Sequence, residues 1–189
     1  MNRRKPVERT ITVDQTVSMS SSGKAFCNQA AAAGVRVVAS LPDDWVLPVI
    51  NAVDGDKRFK HVRVAREAEA VGICAGAFFG GVNSLAIMGM AGVLAIIHEL
   101  ATLNLMHDIP LLIVTSMRGQ PDEEPHTVYQ VAQGQVGAPV IQALGLYHRV
   151  IDNFSELNLP SLVKHSRITK RPAIVSMTRR MTAEFAEVS

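Results

Sequence analysis

Cysteine is scarce, with only Cys27 and Cys74 in 189 residues. They have no CxxC spacing and no paired histidines beside them, which gives no basis for a disulfide framework or a zinc site. Both fall in segments with helical patterning, so buried, reduced thiols are expected. Charge excess is also missing. The 19 basic and 17 acidic residues are spread along the chain for a net charge of +2, which gives no electrostatic case for a nucleic-acid or acidic-membrane partner. No apolar run approaches the roughly 20 residues of a membrane span. The longest, from Gly89 to Ile97, is broken by glycines and ends at His98-Glu99. The basic start MNRRKPVERT is not followed by a signal-type apolar stretch, so a cytoplasmic location is expected.

What is present is a chain that is 48% hydrophobic and 19% charged, long enough for one domain with a sizeable core. Residues 1–19 are polar and β-branched and read as a tail or edge strand, with the domain proper over 20–189. Ser20-Ser21-Ser22 can cap a helix over KAFCNQAAAA that ends at Gly34. VRVVAS, from Val35, reads as a buried strand. It is stopped by Leu41-Pro42-Asp43-Asp44, which also caps a helix from Trp45 to Val53. Further strands are expected at His61 to Val64, Ser84 to Gly89, LLIVTS after Pro110, Val150-Ile151 and Ala173 to Met177. Further helices are expected from Arg66, over Val93 to Met106, Ala138 to Leu144 and Phe154 to Ser166. Between them, residues 117–135 read as a long polar loop, a length that suggests a function. Apolar strands alternating with helices predict an α/β, doubly wound, mainly parallel sheet covered on both faces.

The stretch KHVRVAREAEAVGICAGAFFGG joins a strand directly to a helix. At about 100° per residue, Glu67, Val71, Cys74 and Phe78 share one face and Glu69, Gly72, Gly76 and Gly80 lie near the opposite one. Glu67 has two readings: an anion favoured by the dipole of the first helical turn, or a carboxylate drawn into a poorly hydrated site at the carboxyl end of a parallel strand. The glycines suit the close approach of another helix, within the chain or on a second one. Four loops converge on the carboxyl edge of such a sheet, and they carry Asp43, Asp44, Glu67, Arg118, Asp122, Glu123, Glu124 and His126. That set fits acid–base work or anion recognition, although a helix cap or a solvated charged loop would use the same residues. Gly89-Met90-Ala91-Gly92 could present backbone N–H groups to an anion, but it lacks the GxGxxG and P-loop patterns.

ASLPDDW, VAREAEAVGICAGAFFGG and IPLLIVTSMRGQPDEEPHTVYQVAQG, in that order, resemble the pyrimidine-binding domain of thiamine-diphosphate enzymes. The resemblance is greatest to sulfopyruvate decarboxylase alpha subunits and phosphonopyruvate decarboxylases. It implies that Glu67 is the glutamate that shares a proton with the cofactor's aminopyrimidine, and that Pro42, Gly89 and Gly92 line the cofactor. It further implies Asp43, Asp44 and His126 as acid–base candidates, with Arg118 and His126 holding a sulfonate or phosphonate. IMGMAGVLA departs from a more polar glutamine-asparagine-serine-glycine run in the relatives, which bears on the substrate.

These enzymes hold the diphosphate through magnesium bound at a Gly-Asp-Gly strand end. No Gly-Asp-Gly occurs here, since Asp54-Gly55-Asp56 has the wrong order. The resemblance therefore implies no metal site in this chain, a beta subunit carrying magnesium and the diphosphate, and a hetero-oligomer acting on a small 2-oxo acid. The expected activity is decarboxylation of 3-sulfopyruvate or 3-phosphonopyruvate. The alternatives are a non-catalytic regulatory or scaffold subunit, or a carboligase using the same cofactor.

Overall fold

Six short segments form the strands, four of them mainly aliphatic and the two edge strands more polar. They are β1 (Val35–Ser40), β2 (Lys60–Arg63), β3 (Asn83–Met88), β4 (Leu111–Ser116), β5 (Tyr147–Ile151) and β6 (Pro172–Met177). The computed structural model describes residues 19–119 and 128–185. All strand pairs are parallel, in the order β2-β1-β3-β4-β6-β5. The helices in chain order are α1 (Ser21–Ala32), α2 (Leu47–Asp54), α3 (Glu67–Phe79), α4 (Met90–Ala95), the single turn α5 (Ile97–Glu99), α6 (Val128–Ala143), α7 (Leu159–Thr169) and α8 (Arg179–Ala183).

The two-residue period of the strands sends side chains to two cores. Leu112 and Val114 of β4 join Leu85, Ile87 and Val175 beneath α1, α2, α7 and α8. Leu111 and Ile113 join Ala86, Met88 and Ile174 beneath α3, α4 and α6. Burying each such large side chain stabilises the fold by about 1.5–3 kcal/mol, and every residue of β4 is buried. The result is the doubly wound sheet that the alternating pattern predicts. The chain leaves β1 through α2 on one face and β3 through α4 on the other. The carboxyl ends of these neighbouring strands therefore border a topological switch point, where ligand sites form in open α/β sheets.

Several boundaries differ from the sequence-based expectation. Helix α2 starts at Leu47 with Val46 as an N-cap that makes no side-chain bond, so neither Asp43 nor Asp44 caps it. The expected Gly89–Gly92 loop is instead the start of α4, with Gly89 as N-cap. The helix expected over 93–106 is broken at Ile96 and continues as a π-helical turn over Leu100–Leu105, in which buried Asn104 donates to the Ile109 carbonyl at 3.0 Å. The long loop is shorter than expected, because α6 begins at Val128 and carries Pro139 within it. Its glycines act as close-packing positions rather than breakers. A Cβ on Gly134 would lie 2.6 Å from the Arg118 carbonyl oxygen, and one on Gly137 2.6 Å from Met90 Sδ. The expected helix over 154–166 becomes a 3-10 turn at Phe154–Glu156 followed by α7, and α8 has no counterpart in the expectation. Ser20 caps α1 as read, accepting from Gly23 N–H at 3.0 Å, and Gly34 follows with φ of 74°. No described helix is long and apolar enough to cross a membrane.

Candidate functional site

Glu67 is placed by strand β2. The Val64 N–H donates to the Ser40 carbonyl at 2.9 Å, closing the β1–β2 ladder, and the chain turns into α3 three residues later. Val71 and Cys74 on the Glu67 side of α3 are buried, whereas Glu69, Gly72 and Gly76 face solvent, as the helical period requires. Glu69 is a capping residue: its Oε2 accepts from Ala65 N–H at 2.9 Å and from Arg66 N–H at 3.3 Å. The half-buried Glu67 carboxyl lies against α4, and a Cβ on Gly92 would be 2.6 Å from its Cγ and 2.7 Å from Oε1. It has no hydrogen-bond or ion-pair partner among the described residues. The carboxyl group is therefore held in place by packing while its hydrogen-bonding capacity stays open.

Asp43 follows β1 and leans over the end of β3, where a Cβ on Gly89 would be 2.7 Å from Asp43 Oδ2. Its Oδ1 accepts from Trp45 N–H at 3.1 Å, an Asx turn in place of the expected cap. Arg118, at the end of β4, brings Nη1 to 3.4 Å from Asp43 Oδ2 and 3.6 Å from Asp44 Oδ2. Gly119, with φ of 95°, and Gly134 let this strand end dock on α6, since a Cβ on Gly119 would collide with the Gln130 carbonyl. The Arg118 backbone is therefore fixed from below.

The structure thus brings together Asp43, Glu67, Gly89, Gly92 and Arg118. Asp44 and Pro42 are exposed, with Asp44 reaching the group through Arg118. The Gly92 N–H is taken by the Gly89 carbonyl at 3.0 Å, and a Cβ at Gly89 or at Gly92 would meet the Asp43 or the Glu67 side chain, so both glycines make room for a carboxylate. Met88, Met90 and Val93 are buried in the core. Their apolar side chains fill the interior, while Gly89 and Gly92 between them border Asp43 and Glu67. His126, Asp122, Glu123 and Glu124 lie outside the described residues.

Trp45 and Arg179 were not anticipated. The Arg118 and Arg179 guanidinium carbons lie 5.7 and 5.9 Å from the Trp45 ring centroid. With Asp44, Pro48 and Thr182 they line an open cleft of about 440 Å³. The available signals were the single tryptophan of the chain, directly after two aspartates, and an arginine pair two residues past the last strand. Both cysteines are buried and unpaired. Burial pushes the Cys74 thiol up to about 11 and the Cys27 thiol up to about 12. Neither is poised as a nucleophile.

Comparison with known proteins gives related decarboxylases. The alpha subunit of sulfopyruvate decarboxylase from Methanococcus maripaludis is 34% identical over 102 residues, covering 54% of this chain and 60% of that protein. That of Methanothermobacter thermautotrophicus is 30% identical over 117 residues, covering 62% of this chain and 70% of the relative. Phosphonopyruvate decarboxylase of Streptomyces viridochromogenes is 34% identical over 91 residues, 48% of this chain but only 23% of that enzyme. The matched region thus spans less than two thirds of two of these three relatives. Among solved structures, 2-oxoglutarate:ferredoxin oxidoreductase from Magnetococcus marinus superposes with a TM-score of 0.60 at 14% identity, covering 86% of this chain and 29% of that one. At that identity the likeness speaks for the fold alone. No family model matches the chain.

Proposed function

Since the chain belongs to the family of sulfopyruvate decarboxylase alpha subunits, we propose that it is one chain of a two-chain, thiamine-diphosphate- and magnesium-dependent 2-oxo acid decarboxylase. The substrate is 3-sulfopyruvate or 3-phosphonopyruvate, and the products are the corresponding aldehyde and carbon dioxide. The carrying observation is Glu67: a half-buried carboxyl group packed on Gly92 and without a partner among the described residues. Such a group fits a ligand nitrogen with which it can share a proton, and the aminopyrimidine of thiamine diphosphate offers one. When bound, thiamine diphosphate supplies the electron sink that loss of carbon dioxide from a 2-oxo acid needs.

The residues of this chain have separate tasks in this reading. Glu67 holds or gives up a proton at Oε1 or Oε2 toward the aminopyrimidine, and packing on α4 keeps it from competing water. Asp43 stands at the switch point beside the reacting region as a proton carrier, its position fixed by the Trp45 N–H and by Arg118. Arg118 brings a guanidinium to the site, whose planar fork suits a sulfonate or phosphonate. Magnesium and the diphosphate are assigned to a beta subunit, in keeping with the lack of Gly-Asp-Gly in this chain.

The test is calorimetric titration of thiamine diphosphate with magnesium into this chain, into a candidate partner bearing Gly-Asp-Gly, and into the mixture. Binding that needs the mixture is the expected result. Tight binding to this chain alone would refute the split site, and binding in none of the three would refute the cofactor assignment.

A further inference from the structure

Beside this site, a second constellation has the geometry of a catalytic triad. Ser40 Oγ is 2.8 Å from His61 Nε2, and His61 Nδ1 is 2.7 Å from Asp54 Oδ1. The other Asp54 oxygen takes Arg63 Nη2 at 2.7 Å. An ionised carboxylate only accepts, so Nδ1 carries the hydrogen, and in the neutral ring Nε2 accepts the Ser40 hydroxyl proton. Nucleophilic chemistry is ruled out by access: Ser40 is fully buried and the His61 side chain is 6% exposed. The chain of bonds must therefore act on the fold.

Its placement indicates on what. Strand β2 is a four-residue edge strand, paired with β1 from Val37↔Lys60 to Ser40↔Arg63. His61 and Arg63 lie on one side of it, and Asp54 at the end of α2 grips both. His61 sits opposite Val38 and reaches diagonally to Ser40. The Ser40 carbonyl in turn holds Val64 N–H at 2.9 Å. Asp43 comes three residues after Ser40, and Glu67 three residues after Val64. One residue thus roots both carboxylates of the candidate site. The opposite edge supplies an internal control. There His148, opposite Ile174, makes the same diagonal bond to Ser176 Oγ at 2.7 Å, on β5 at the other end of the strand order from β2.

We infer that His61, oriented by Asp54, is a positioning residue that fixes Ser40 and through it the strand ends carrying Asp43 and Glu67. This role in the reaction rests on the function proposed above. The test uses the full chain. Asn at 61 can keep only the bond to Asp54, and Gln only the bond to Ser40, so the two variants lose equal numbers of hydrogen bonds from different ends. In H61N, and in S40A as a second variant, amide exchange over Val64 to Glu67 rises by about fivefold to tenfold, the equivalent of one hydrogen bond. H61Q stays near wild type, and H148N leaves this segment unchanged. With the beta subunit, thiamine diphosphate, magnesium and 3-sulfopyruvate, kcat of H61N falls by a similar factor at nearly constant KM, and H61Q restores most of it.

Equal exchange in H61N and H61Q, an equal effect from H148N, or faster exchange in H61N with unchanged kcat would overturn the inference. A wild-type pair with no decarboxylase activity would instead refute the proposed function, and the exchange data would still decide whether His61 positions the two strand ends.

Discussion

Glu67 and Gly92 fit together as a carboxyl group and the space kept for it: a Cβ on residue 92 would stand 2.7 Å from Glu67 Oε1. A side-chain end can swing away from a new methyl group, so G92A displaces Glu67 rather than breaking the fold. Gly92 is inside α4, where alanine is favoured over glycine by about 0.5–1 kcal/mol. The G92A protein is therefore expected to melt at or slightly above the wild-type temperature and to lose decarboxylation by about tenfold or more, as expected for a displaced proton-sharing group. Thermal unfolding and turnover measured on the same preparation check this. A large loss of stability with full turnover per folded molecule would show that the glycine serves packing only.

Arg118 is expected to separate substrates by head group. One charge-assisted hydrogen bond is worth about 1.5–3 kcal/mol, so R118Q raises KM for 3-sulfopyruvate by about tenfold to a hundredfold. KM for pyruvate, which has no second anion, changes much less. Equal effects on both would mean that Arg118 acts only through Asp43.

The buried thiols are expected to be inert in the native state. With Cys74 pushed up to about 11 and Cys27 to about 12 by burial, almost no thiolate forms near neutral pH. A disulfide reagent at pH about 8 then labels the native chain only as fast as it unfolds, and labels both cysteines at once in denaturant. Because these folded values lie above the unfolded ones, the thiols' contribution to stability is complete below about pH 8.5 and is lost as pH rises. Rapid native labelling of either residue would contradict their burial.

Asp54 is expected to make the β2 edge acid-sensitive. The hydrogen bond from His61, with the Arg63 charge behind it, holds its carboxyl below the usual range despite some desolvation. A depressed folded value means a contribution present above the unfolded value of about 4 and lost as pH falls through the folded one. The difference in melting temperature between wild type and D54N should thus be largest near neutrality and shrink below about pH 4. A constant difference across that range would remove the ion-pair explanation.

Much of this architecture was legible in the sequence because burial and periodicity coincide. VRVVAS and LLIVTS read as buried strands since both of their faces are covered, and α3 read as a helix with Glu67 at its head because Val71 and Cys74 follow at helical spacing. What escaped was decided by tertiary contact. Gly134 and Gly137 look like loop residues until Arg118, Gly119 and Met90 are seen to need the space that a Cβ would take. Gly89 and Gly92 invite an anion-loop reading for the same reason, although what they accommodate is Asp43 and Glu67. Arg179 belongs to the Trp45 cleft only because β6 ends beside β4. The close partner expected for Gly72 and Gly76 does not come from the described residues of this chain, where a Cβ at either would meet nothing within 4 Å.

The most direct test of the account is the turnover of E67Q in the reconstituted two-chain complex. Glutamine keeps the size and the packing on Gly92 but cannot hold or share the carboxyl proton. E67Q is expected to keep its fold, to bind the cofactor within a few-fold of wild type, and to decarboxylate more slowly by about 10²–10⁴-fold, the range of a lost acid–base group. Wild-type turnover in E67Q would contradict it.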